Sequence, residues 1–257
     1  MTYKIKAQAI VLRARRVGEN HRGLQVLVSG KGLVDSLAYG AMSRRSSLRN
    51  TALPYNRGVA GLHYDGSRRR WRLHSFDPVN TYDGLREDLD RFYTASTWAE
   101  ILLRSYGSGE DSEALFSLVA SALALLSQCM PRGIPRLNCA FLWNFLKIEG
   151  VRPELNQCSR CSGDMDGGAV YFLPNGLLIC PNCVENGLNE LSLGTIRWLL
   201  AVSNIELDRA AKIGLPNRST AAMERWLLSI VQTLLERPLK SLQRQWDCTK
   251  GPIESTM

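Results

Sequence analysis

Two cysteine pairs, Cys158-x-x-Cys161 and Cys180-x-x-Cys183, constrain the fold of this chain more than any other feature. Eighteen residues separate them, a spacing that suits two tight knuckles clasping one tetrahedral zinc ion. A CxxC turn puts two thiolates on the same side of a loop, so each pair supplies half of a four-cysteine site. Between the pairs, Ala169-Val170-Tyr171-Phe172-Leu173, a Pro-Asn-Gly turn and Leu177-Leu178-Ile179 predict two short strands. Such a hairpin returns the second knuckle to the side of the first. The competing possibility is redox-active CxxC pairs, which usually open a helix after a strand; neither pair has that setting. Four thiolates leave no open coordination position, so the zinc is structural and holds a loop-rich insert together.

The cysteines say little about function, and charge says more. Residues 1–80 carry 15 Lys and Arg against four acids, Glu19, Asp35, Asp65 and Asp77. Residues 81–257 carry the other 17 against 20 acids, so all of the net charge of +8 originates in the first third. That asymmetry predicts one region that meets a polyanion and one that does not. At 257 residues, with 45% hydrophobic and 22% charged residues, the chain has a globular composition with room for two domains. No apolar run approaches the roughly 18 residues of a membrane span, and residues 1–20 do not read as a signal peptide. Cys129, Cys139 and Cys248 are expected to be unpaired, the first two buried in helices. The expectation is a cytoplasmic, nucleoid-associated protein without membrane contact.

Hydrophobic patterning divides the chain. Segments beginning at Ala9, Leu24, Leu33, Tyr55 and Trp71 read as five short strands, with a tight hairpin at Gly30-Lys31-Gly32 and a polar, basic loop over Gly40–Asn50. Five strands in about 80 residues fit an oligonucleotide-binding (OB-fold) barrel, though periodicity alone equally allows an SH3-like one. After Asn80 the period becomes helical. Helices are predicted over about 85–106, 115–130, 137–149, 193–202 and 220–243, the last capped by Ser219 or Thr220 and kinked or divided by Pro238. The fold class is therefore multidomain α+β. An OB-fold domain spans 1–80 and a helical domain spans 81–153 and 191–246. A zinc-ribbon insert occupies 154–190, and a flexible tail follows from 247 to 257.

Two arginine clusters mark the first domain: Arg44, Arg45 and Arg49 in the basic loop, and Arg68, Arg69, Arg70 and Arg72 at a hairpin. With Lys31 they are the candidate DNA-binding residues, since arginines beside serines and backbone N–H groups bind phosphate without reading sequence. Tyr39, Tyr55, Tyr64 and Trp71 are candidate stacking platforms, although each singly suits the barrel core better. His21, His63 and His74 fall in no ligand or nucleophile motif, and nucleotide-binding, hydrolase and zinc-protease signatures are absent. This points to binding rather than catalysis. Two alternatives stay open: a zinc-ribbon RNA- or ribosome-associated protein, and an enzyme using CxxC redox chemistry.

Several segments resemble the bacterial recombination mediator family RecO. In the barrel these are Ala9-Ile10-Val11-Leu12-Arg13, Gly18-Glu19, Gly30-Lys31-Gly32 and Ala38-Tyr39-Gly40-Ala41. Leu85-Arg86-Glu87-Asp88-Leu89 and Ala99-Glu100-Ile101-Leu102 are similar to the start of its helical domain. Most specific is Phe145-Leu146-x-x-x-Gly150-x-x-Pro153-x-Leu155-x-x-Cys158-x-x-Cys161, and Pro238-Leu239-Lys240-Ser241-Leu242 resembles the last helix. The resemblance implies a non-catalytic protein of recombinational repair that binds single- and double-stranded DNA and anneals complementary strands. It further implies that, with RecR, such a protein helps RecA displace single-strand-binding protein. It points to Arg44, Arg45 and Arg49, which follow a glycine as a Lys/Arg-rich segment does in the family.

Overall fold

The computed structural model describes residues 2–105, 112–165 and 170–242. Residues 106–111, between the helices expected over about 85–106 and 115–130, residues 166–169, Cys248 and the tail from 247 lie outside these. The chain divides into two compact units, 1–127 and 128–257.

In the first unit, alternating apolar residues produce five strands: β1 (Tyr3–Val17), β2 (His21–Val28), β3 (Gly32–Ala38), β4 (Arg57–Asp65) and β5 (Arg70–Asn80). They pair in the order β1-β2-β3-β5-β4, and β4 returns to β1, closing a barrel. Only the β3–β5 pairing is parallel. β1 begins earlier than its apolar residues suggested, because residues 3–10 pair with β4 and residues 9–17 with β2, the latter pairing interrupted by a bulge between Val11 and Arg13. Successive partners from Tyr3 through Tyr64, Trp71, Ser36 and Leu24 return to β1 at Ala14. The strands are therefore steeply tilted.

The barrel interior is filled by Ala9, Val11, Leu24, Val26, Val28, Val34, Leu62, Leu73 and Phe76. Ala41, Leu48 and Ala52 join the same cluster from the β3–β4 connection. That connection was expected to be only a polar, basic loop. In fact it carries a one-turn helix, α1 (Leu48–Thr51), and closes one end of the barrel. Its apolar residues are too few and too widely spaced to show a period.

Outside the barrel, Ile10, Leu12 and Leu27 are also buried, and Ile10 pairs with Leu27. α2 (Leu89–Ser105) and α3 (Ser112–Gln128) belong to this unit. The Tyr55 hydroxyl lies 2.9 Å from Ser96 Oγ on α2, and Ser29 Oγ donates to Glu113 of α3 at 2.5 Å. The predicted helix from Leu85 is corrected. Asp83–Leu85 forms a single 3-10 turn, and α2 starts after Asp88, whose carboxylate accepts the Arg91 N–H at 2.9 Å.

In the second unit, α4 (Ile134–Ile148) and α7 (Asn217–Leu235) pack together through Trp143 and Trp226, whose ring centroids are 5.9 Å apart. α5 (Leu193–Val202), capped by Ser192, and a one-turn α6 (Leu207–Ala210) complete the helices. α7 starts at Asn217, before the expected Ser219 or Thr220 cap; Thr220 is buried and its hydroxyl donates to Pro216 O. It ends at Glu236, which is left-handed (φ 53°), and helix resumes only at 240–242, so the chain is divided before Pro238. Cys139 is buried in α4, but Cys129 is half-exposed between helices rather than within one.

Between α4 and α5 lies a three-stranded sheet, β6 (Val170–Phe172), β7 (Leu178–Ile179) and β8 (Asn189–Leu191), in the order β7-β6-β8. The hairpin was predicted and the third strand was not, since Asn189-Glu190-Leu191 carries a single apolar residue.

Candidate nucleic-acid interface and metal centre

Strand alternation separates the cations of the barrel from its core. Lys4 pairs with His63 and His63 with Arg72, so one row on the outer surface crosses β1, β4 and β5. Arg72 is next to Leu37 of β3, and its guanidinium lies 5.2 Å from the Tyr39 ring centroid. Tyr39 is 42% exposed and meets the His21 ring edge-on at 5.0 Å, while His21 Nδ1 accepts the Gly40 N–H. A bulge between Gly61 and Leu62 brings His74 beside His63, with ring centroids 5.6 Å apart. Lys4, His63, Arg72, His74, Tyr39 and His21 thus line a continuous outer path that ends at the Gly40 connection.

The predicted arginines occupy different settings. Arg44, Arg45 and Arg49 are exposed on the connection, held outside by the burial of Ala41, Leu48 and Ala52 beneath them. Arg68, Arg69 and Arg70 are exposed at the β4–β5 turn. Asp65 builds that turn by accepting from the Ser67 hydroxyl and N–H and from the Arg68 N–H. These bonds, led by the Ser67 hydroxyl and aided by Arg72, outweigh desolvation and bring its carboxyl down to about 2. Arg72 pairs with the same carboxylate at 2.5 Å, so the fold already uses part of its charge. Lys31 is apart from these, its ammonium 4.8 Å from the Trp71 ring centroid.

Among the proposed stacking residues, Tyr55 is withdrawn. It is 6% exposed, sits edge-on to Phe92, and its hydroxyl is engaged by Ser96. Other basic residues of the first unit act as internal ties. Arg22 donates to the carbonyls of Leu48, Arg49 and Ala52, fixing the arginine-bearing connection. Arg86 reaches Pro54 O and Asn56 Oδ1, each at 2.8 Å. Nothing in the sequence distinguishes these arginines from the exposed ones, because the carbonyls they bind are distant in the chain.

In the second unit the four cysteines converge. Their sulfurs all lie within 4.8 Å of one another, and Cys161 and Cys180 are 3.8 Å apart. With metal–sulfur bonds of roughly 2.3 Å, a tetrahedron has edges of about 3.8 Å, so the cluster could hold one metal ion. The Cys180 N–H points at Cys158 Sγ at 3.4 Å. Burial opposes ionisation of Cys158, but N–H groups of Cys161, Cys180 and Arg160 outweigh it and bring the thiol to about 6. Cys183 is pushed up to about 12, first by hydrogen bonds with Cys161 and Cys180 and then by desolvation. Arg160 links the knuckles, donating to Cys183 O at 3.1 Å and Glu185 at 2.7 Å.

The model for the N-terminal part of Recombination protein O matches residues 1–82, and that for its C-terminal part matches residues 86–243. The chain belongs to the RecO family. It is 32% identical over 238 residues to the DNA repair protein RecO of Pelotomaculum thermopropionicum, covering 92% of this chain and 91% of that one. The DNA repair protein RecO of Desulforamulus reducens is 27% identical over 244 residues, with 93% and 92% covered. That of Anaeromyxobacter dehalogenans is 28% identical over 211 residues, with 81% and 82% covered. The two RecO models meet just past β5, so the first takes in the whole barrel. Among the described residues no helix is long and apolar enough to cross a membrane.

Proposed function

We propose that this chain is a non-catalytic mediator of recombinational DNA repair. It binds single- and double-stranded DNA through the barrel, anneals complementary strands, and with RecR helps load RecA onto DNA coated with single-strand-binding protein. Family membership supports the repair role. The observation that carries DNA binding is the display of Arg44, Arg45 and Arg49 and of Arg68, Arg69 and Arg70 on a barrel whose core needs none of them. The β1-β2-β3-β5-β4 ring supports an OB-fold reading, with 1–80 as the DNA-binding domain. Helical segments 81–153 and 191–246 and a ribbon at 154–190 would carry the protein contacts. A polycationic surface lowers the repulsion between two phosphate backbones, which is what annealing requires, and no bond need be made or broken. The four-cysteine cluster supports one structural zinc held by Cys158, Cys161, Cys180 and Cys183.

Strand annealing of complementary oligonucleotides across a salt series tests this reading. The full chain accelerates annealing, and the acceleration fades as salt rises. Arg44→Glu with Arg45→Glu weakens binding to every DNA sequence and flattens the dependence of log K on log salt by about 2, near one unit per lost phosphate contact. An unchanged slope would move the phosphate contacts off the Gly40–Asn50 connection. Absence of annealing with DNA binding intact would remove the mediator role.

A further inference from the structure

The two ends of the barrel are closed differently. At the Gly40 end the plug is aliphatic and sealed, with Ala41 and Ala52 at 0% and Leu48 at 4% exposure. At the other end the last inward-facing residues of β1, β4 and β5 are all aromatic: Tyr3, Tyr64 and Trp71. Their ring centroids are 5.1 to 5.5 Å apart, with Trp71 perpendicular to Tyr3 and Tyr64 tilted against both. This cluster is open to solvent. Tyr3 is 43% exposed, and Tyr64 and Trp71 are half-buried. Trp98, Trp143, Trp198 and Trp226 are all buried, which leaves Trp71 as the one tryptophan among the described residues that reaches water.

One cation stands against the rings. The Lys31 ammonium stands 4.8 Å from the Trp71 centroid and 5.8 Å from that of Tyr3. The turn joining Tyr64 to Trp71 carries exposed Arg68, Arg69 and Arg70, while its one acid, Asp65, is engaged by Ser67, Arg68 and Arg72. A cap that served only to seal the core would be sealed, as the opposite end is. Partly exposed aromatic rings with a lysine against them, joined by a turn that carries three exposed arginines, suit a flat π-system attached to phosphate.

We propose that the aromatic end of the barrel binds an unpaired nucleobase, with Tyr3 and Trp71 as the stacking faces and Lys31 moving from the Trp71 ring to the adjoining phosphate. This rests on the DNA-binding reading above and deepens it. The outer arginines hold backbone of any kind, and the barrel end distinguishes a single strand from a duplex, whose bases are already stacked. A strand end or junction would be the preferred ligand.

The test compares an oligothymidylate with an abasic oligonucleotide of equal phosphate number, using the full chain and reading both affinity and tryptophan emission. Trp71→Phe serves to assign the emission change. The oligothymidylate is expected to bind about tenfold more tightly than the abasic strand, as stacking of one base allows, and to quench Trp71. Tyr3→Ala, and Tyr3→Leu as the variant that keeps apolar cover, reduce that ratio to near one while abasic and duplex affinities and their salt slope persist. Equal affinity for the two strands in the unmodified chain would overturn the proposal and leave DNA binding standing. Parallel loss for both strands in the Tyr3 variants would overturn it too. No binding of either strand would overturn the DNA-binding reading itself.

Discussion

The barrel and the ribbon solve the same problem with different means. The barrel encloses its own core: fourteen residues from all five strands and the β3–β4 connection are buried in one cluster, and no edge is left unpaired. The ribbon has strands of only three, two and three residues. It leans on its cysteine cluster and on α7, where Trp226 Nε1 donates to Gly176 O at 2.8 Å. Gly176 has φ +86°, and a Cβ there would come within 2.2 Å of Ile230 Cγ1. Only glycine permits both that turn and that approach. A closed sheet can therefore spare its polar outer surface for a ligand, whereas a small insert commits its most reactive side chains to staying folded.

The sharpest way to break this contrast is to remove one thiolate. On the proposed zinc assignment, Cys158→Ser should release the metal and unfold the ribbon from about 154 to 191, with hydrogen exchange accelerating there and the barrel protected as before. Elemental analysis of the purified variant checks the first part; full retention of zinc would end the four-cysteine assignment. Next in size is the barrel plug. Leu48→Ala should cost about 2–5 kcal/mol, the usual range for a buried leucine, measured by denaturant unfolding. Metal content should not change. Because Leu48 also anchors the connection that Arg22 ties down, this variant should weaken DNA binding although it removes no charge.

The smallest effect concerns the helices beside the ribbon. Glu224 is half-buried on α7, where it accepts from Asn138 Nδ2 at 2.6 Å; desolvation raises its carboxyl above the ordinary 4.5, only partly offset by that bond. A carboxyl raised on folding stabilises the native state fully below its unfolded value, and that contribution is lost as pH rises through the folded one. Thermal stability of the second unit should thus fall over the first stretch above pH 4.5, and Glu224→Gln should flatten the profile. An identical profile in the variant would place the titration elsewhere. The barrel, with no such group among its core residues, should show no matching change.

Legibility in the sequence followed the range of the interactions concerned. Strand segments, the hairpins and the long helices rest on local periodicity, and they were readable. The four cysteines announced their convergence because knuckle spacing is itself local. The plug at Ala41, Leu48 and Ala52 was not readable, nor was β8, since each depends on surfaces supplied by distant residues. Arginine was the most ambiguous residue type. Arg22 and Arg86 bind carbonyls some 30 positions away, while Arg44, Arg45 and Arg49 stand free of the core.

By itself, the sequence determined the division into a basic β-rich region and helical segments, the four-cysteine cluster and the RecO resemblance, because composition, period and knuckle spacing act over neighbouring residues. Only the tertiary structure decided which cations are internal ties, which of the aromatic residues are withdrawn, and that Tyr3, Tyr64 and Trp71 meet at one end of the barrel. Those outcomes depend on the closure and tilt of the sheet, which bring residues 3, 31, 64 and 71 together although nothing in their local sequence relates them.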